Sequence, residues 1–108
     1  MPREDRRIIF DLNETYKGLY TLSQKQDDAP KLIAGAIKSI SISPDDANNV
    51  DVIIVNPQIG EKSKITYSRD FVAAALMVLC RSENIPLPRK AAKTVMIDSD
   101  RVILRVIV

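Results

Sequence analysis

The chain has 108 residues, 45% of them hydrophobic and 28% charged, with a net charge of +2. That composition is too apolar for a disordered segment and the length suits one folding unit, so residues 1–108 are expected to form a single domain around one core. Cys80 is the only cysteine and histidine does not occur, which excludes an internal disulfide, a thiolate metal cage within one chain, and Ser-His, Cys-His or HExxH chemistry.

The start, "MPREDRRIIF", holds only a short apolar run after its charges, less than a signal peptide requires. Its "RRIIF" stretch fits a turn of helix or a short strand equally well. From Asp11, "DLNETYKGLYTLSQKQ" predicts a helix: Leu12, Tyr16, Leu19 and Tyr20 recur at helical spacing, and Asp11 with Glu14 forms a capping-box pattern. Gly18 weakens that helix by up to about 1 kcal/mol relative to alanine, so it must be stabilised by packing against something else. "QDDAPK" ends it.

Three strands are expected next. In "AIKSISIS", Ile40 and Ile42 alternate with Ser39, Ser41 and Ser43, giving one buried and one polar face. "VDVIIVN" is apolar on both faces and belongs at the centre of a covered sheet. "SKITYS" turns Ile65 and Tyr67 inward. The linking segments "SPDDANN" and "NPQIGEK" are rich in turn formers, so the three strands read as an antiparallel meander.

Ser68 or Asp70 then caps a second helix, expected over 71–83. Its first ten residues, "FVAAALMVLC", have no polar face, which demands burial on more than one side. The helix should lie across the sheet with its other flank under the first helix or against a second copy of the chain, and Ala73, Ala74 and Ala75 keep it slim enough for close approach. Ten apolar residues fall well short of the ~20 needed to cross a bilayer. No membrane association and a reducing, cytoplasmic setting are therefore expected.

Pro86 and Pro88 make "IPLP" an extended exit from the helix. "KTVMID" and "RVILRVIV" then read as a hairpin closed by Ser99 and Asp100, with Asp98 opposite Arg101, Met96 opposite Ile103 and Thr94 opposite Arg105. Val95, Ile97, Val102, Leu104 and Val106 share the other face. The fold class is thus α+β: N-terminal helix, three-stranded antiparallel meander, buried second helix and C-terminal β-hairpin, with the sheet packed on the helices.

Function is less legible. Residues 1–59 carry seven Lys or Arg against nine Asp or Glu, whereas residues 60–108 carry nine against five. Within the basic half, Arg81, Arg89, Lys90 and Lys93 are the candidate residues for an anion or a nucleic-acid phosphate, although "PRKAAK" is also short enough to be a solvated loop. Arg101 and Arg105 have hairpin partners and apolar neighbours, which weakens their candidacy. The three glycines never cluster, so no phosphate-binding loop or dinucleotide fingerprint exists, and no cofactor is expected. Asp45, Asp46, Asn48, Asn49 and Asp51 lack the glycine and closing glutamate of a calcium loop and are read as a polar connection. Cys80, at the end of the apolar run, is read as packing material, and Tyr16, Tyr20 and Tyr67 as core residues with solvated hydroxyls.

Three functional readings follow. The preferred one is a small non-enzymatic interaction or adaptor protein, homodimeric by way of the apolar surface that one short helix does not cover. The alternative is an anionic-ligand or nucleic-acid binder using the segment 81–93. A third, an enzyme built on Asp70 with Arg69 and Lys64, has no positive support in the residues.

Overall fold

The computed structural model describes residues 4–108, in the order β1 (Asp5–Phe10), α1 (Leu12–Lys25), β2 (Ala36–Ile42), β3 (Asn49–Asn56), β4 (Glu61–Ser68), α2 (Arg69–Ser82), β5 (Ala92–Asp98) and β6 (Arg101–Ile107). The α+β class, the meander β2-β3-β4 and the hairpin β5-β6 match the sequence expectation. One element had been left open: "RRIIF" is a strand, and it pairs antiparallel with β6, matching Ile8 with Leu104 and Phe10 with Val102. The single sheet expected from the sequence is replaced by two three-stranded sheets, β1-β6-β5 and β2-β3-β4. The added strand at the N-terminus makes this possible, because it gives the C-terminal hairpin a third strand of its own.

Each helix begins where its chemistry dictates. Asp11 accepts the Glu14 N–H at 2.8 Å while the Glu14 carboxylate accepts the Asp11 N–H at 3.0 Å, a complete capping box. At α2 the cap is Ser68, whose hydroxyl accepts the Phe71 N–H at 3.0 Å; Asp70 lies in the first turn, where its charge suits the helix dipole. Two further details differ from the sequence reading. Tyr20 is 44% exposed, because the face of α1 that turns inward is Thr15, Gly18, Leu19, Leu22 and Ser23. Asp51 is a residue of β3, buried, and not part of the polar connection.

A single apolar cluster joins the elements. Val50, Val52 and Ile54 of β3, Val72, Leu76 and Leu79 of α2, Leu19 of α1 and Val102, Leu104 and Val106 of β6 all belong to it. The helix without a polar face buries Val72, Ala75, Leu76, Leu79 and Cys80, while Phe71, Ala73, Ala74, Met77 and Val78 are half-buried. Its cover comes from α1 on one flank and from β5, β4 and β3 on the other. Gly18 and Ala75 mark the crossing of the helices: a side-chain carbon on Gly18 would sit 2.8 Å from the Ala75 carbonyl oxygen. The packing partner demanded by Gly18 is therefore the alanine-rich helix.

In β2 the pairing with β3 shifts register between Ile37 and Ser39, leaving Lys38 as a bulge. Residues three apart cannot both face inward on a regular strand; the bulge lets Ile37 and Ile40 do so.

Candidate anion-binding cleft

The exit from α2 builds the site. Helix α2 ends in a Schellman turn: Asn84 adopts the left-handed conformation (φ 60°), its N–H donates to the Arg81 carbonyl at 3.3 Å, and the Ile85 N–H donates to the Cys80 carbonyl at 2.8 Å. This reverses the chain so that Ile85 and Leu87 are half-buried against the core cluster, and the two prolines hold the return extended. From the side of the first strand, Arg6 donates through Nη1 to the Pro86 carbonyl at 3.2 Å. From the far end, Lys93 donates through Nζ to the Pro88 and Ala91 carbonyls at 2.9 and 3.2 Å. A connection without regular secondary structure is thus tied down at both ends.

Between this connection and the last turn of α2 lies an open cavity of about 620 Å³, within the range of ligand-binding clefts. Met77, Ile85, Pro86, Leu87 and Pro88 supply its apolar lining, Asn84 an amide, and Arg81, Arg89 and Lys93 its charge. Among the described residues no acidic side chain lines it. Three of the four candidate cations are therefore brought together, whereas Lys90, exposed, lies outside the lining. The three differ in availability. Arg81 and Arg89 are exposed, whereas two of the three Lys93 ammonium donors are already used on the loop carbonyls. Arg81 also occupies the last turn of α2, where a cation interacts favourably with the helix dipole. The lining residues Met77, Asn84, Ile85 and Leu87 were missed from the sequence; the asparagine one residue past the helical cap was the available signal.

The remaining candidates are accounted for structurally. The Arg69 guanidinium donates to the Val95 carbonyl on the edge of β5 and to the Ala47 carbonyl at 3.5 Å, so it fastens the β1-β6-β5 sheet and the β2–β3 connection to the start of α2. Lys64 pairs with Asp51 at 3.5 Å, and Asp51 also accepts the Thr66 hydroxyl at 2.8 Å. A small cleft brings Arg69 and Asp70 together with Asn48 and Thr94, but Lys64 is not among its lining residues, so the Asp70-Arg69-Lys64 constellation does not assemble. Arg105 forms a bidentate pair with Asp5 of β1, at 3.1 and 2.7 Å, and faces Thr94 only in register. Asp98 and Arg101 are register partners, as expected.

Cys80 is fully buried, and burial pushes its thiol above the ordinary range with the nearby Glu83 charge adding to the effect, which makes it a poor nucleophile. Tyr67 is buried, its hydroxyl donating to the Pro30 carbonyl at 2.7 Å and its ring stacked on Phe71 at 4.6 Å; Tyr16, half-buried, donates to the Ile33 carbonyl at 2.9 Å. The hydroxyls of Tyr16 and Tyr67, expected to be solvated, are bonded to the chain. Among the described residues no group of three or more His, Cys, Asp or Glu side chains is placed to hold a metal ion, and no helix is long and apolar enough to cross a membrane. Comparison with protein-family models, curated proteins and solved structures gives no match.

Proposed function

We propose that the chain is a non-enzymatic interaction module that binds an anionic ligand with an apolar body in the cleft between α2 and β5. One observation carries the reading: Arg81, Arg89 and Lys93, scattered over thirteen residues, converge on a concave surface that has an apolar lining and no acid. Guanidinium groups over an apolar floor suit a carboxylate or phosphate attached to hydrocarbon, since the head satisfies the donors while the body covers Met77 and Leu87. A nucleic acid is the weaker fit because, among the described residues, no aromatic side chain lines the cleft for bases to stack on. The single, buried thiol accords with a cytoplasmic setting.

Calorimetric titration with decyl phosphate, below its micelle concentration, tests the reading against decyltrimethylammonium, which has the same tail and the opposite charge. The phosphate should bind, weaken as salt is raised, and lose about tenfold or more in affinity when Arg81 and Arg89 are both replaced by alanine. Equal binding of the cationic amphiphile, or full binding by the double variant, would refute it. A single-stranded oligonucleotide that binds with a steep salt dependence abolished by the same variant would transfer the site to nucleic acid.

A second reading, self-association, is favoured by the outer face of β1-β6-β5, where Ile9, Ile103 and Met96 lie side by side in register and Ile9 is 54% exposed. Light scattering across a concentration series tests it: a mass of one chain throughout would rule it out.

A further inference from the structure

The edge strand β4 exposes backbone peptide groups and lysines together. The Arg69 N–H donates to the Asn48 carbonyl at 2.7 Å, one step beyond the Asn49–Ser68 pair, and this sets the alternation along β4. Glu61, Ser63, Ile65 and Tyr67 direct their peptide groups to β3, so those of Lys62, Lys64 and Thr66 point out from the sheet. All three of these residues are exposed. The corresponding edge of β5 is treated differently, its Val95 carbonyl being taken by Arg69. Among the described residues nothing comparable seals β4 between residues 62 and 66; at its Thr66–Ser68 end the 26–30 segment approaches.

The same three residues place their side chains on the outer face. Lys62 lies beside Val55 in register, and across β3 its ammonium meets that of Lys38, on the bulge of β2, with no acid between them. The neighbouring Lys62 ammonium holds Lys38 below its usual pKa, because a second positive charge beside it disfavours its protonated form. Among the described residues Lys62 has no carboxylate partner, whereas Lys64 has Asp51. On the inner face Ile65 is only half-buried, and the half-buried ring of Phe71 stacks on Tyr67, the next residue along that face.

We infer that β4 accepts an acidic, extended peptide segment of a partner protein as a fourth strand. In that geometry the residues hydrogen-bonded to Lys62 and Lys64 lie directly opposite them with side chains on the same face, so the partner presents acids two residues apart. The residue between them falls on the inner face opposite Ser63, and the next residue along that face lies opposite half-buried Ile65 and is apolar. Lysine on an edge ordinarily discourages strand addition, and here it does so against a second copy of the chain: pairing β4 with itself about Lys64, or Lys62 against Lys64, opposes ammonium to ammonium. The same lysines attract an acidic strand. This site is separate from the cleft at Arg81 and Arg89.

A nine-residue peptide alternating glutamate and valine, titrated into the full chain, is the test, alongside its lysine–valine counterpart and a version N-methylated on alternate peptide nitrogens. The acidic peptide should bind and slow amide exchange at Lys62, Lys64 and Thr66. Lys62→Glu should lower its affinity by about tenfold or more, as should N-methylation, which keeps the charge and removes the ladder. The Arg81→Ala/Arg89→Ala variant should bind it unchanged. Failure of the acidic peptide to bind overturns the inference, as does equal binding of the N-methylated form, which would reduce the site to loose charge attraction. Displacement of the peptide by a single-stranded oligonucleotide that needs Lys62 would likewise overturn the choice of partner.

Discussion

Asn84 concentrates several roles in one backbone conformation. With φ at 60° it completes the Schellman turn, turns Ile85 inward and sets the wall of the cleft. An alanine there must hold a left-handed conformation that costs about 1–2 kcal/mol, whereas glycine adopts it freely. Asn84→Ala should therefore lower stability by about 1 kcal/mol, and Asn84→Gly should match or exceed the native chain, as read from urea-unfolding midpoints. If alanine proved neutral, the turn would not be the feature that orders the exit. Asparagine was visible in the sequence just past the helix, but its meaning depended on knowing where α2 stops. The expected end was one residue late, and only the observed bonds from Asn84 and Ile85 locate it. The cation cluster was legible in the same partial way: the four residues could be named, whereas the convergence of three of them could not, because Arg81 reaches the cleft from a helix, Arg89 from the segment that folds back over it and Lys93 from the start of β5.

At the scale of elements, close approach and long-range pairing decide what local pattern left open. The α1–α2 crossing is tight enough at Gly18 that Gly18→Ala, which gains about 1 kcal/mol of helix propensity, should still destabilise the protein. The obstructing group is the backbone carbonyl of Ala75, which no rotamer change can move aside. We expect a net loss of about 1–2 kcal/mol by thermal or urea unfolding; a stabilised variant would mean that the helices do not pack this closely. The first strand offers a different check. The Arg105 guanidinium holds the Asp5 carboxyl below its usual range, first through their hydrogen bonds, across 100 residues of chain. A carboxyl whose folded pKa is depressed contributes stability that is present above its unfolded value, 3.8, and is lost as pH falls through the folded one. Asp5→Asn should thus lower stability modestly near neutrality and flatten the loss below about pH 4, where the native chain gives up the interaction. An unchanged acid limb would show that the pair is not formed in solution. "RRIIF" could not be assigned from its own residues because five residues carry too little periodicity, and the strand exists through its pairing with β6.

For the molecule as a whole, the two sheets and two helices share one core, and Cys80 sits inside it with no exposed surface. Opening that reaches Cys80 should require separating α2 from its neighbours, so labelling by a thiol reagent should proceed at the rate of global unfolding and accelerate with urea in step with it. Rapid labelling of the native protein would place the helix outside the cooperative core. The same core explains why an all-apolar helix need not imply a second chain: α1 and the strands cover it on more than one side. What stays open lies elsewhere, at Ile9 and Met96 on either side of buried Ile103, along the β4 edge and in the cleft at the end of α2.

Short-range chemistry determined the type of every element except β1, the capping box at Asp11, the meander and the complete register of the β5–β6 hairpin, because each depends on residues a few positions apart. Even the need of α2 for cover on several sides was written in its ten apolar residues. Tertiary structure alone decided that the strands divide into two sheets, that α1 turns Thr15 and Ser23 inward and Tyr20 outward, and that three cations face one hollow. Those outcomes rest on contacts between distant segments, where burial of the whole set of apolar side chains outweighs the preference of any one of them.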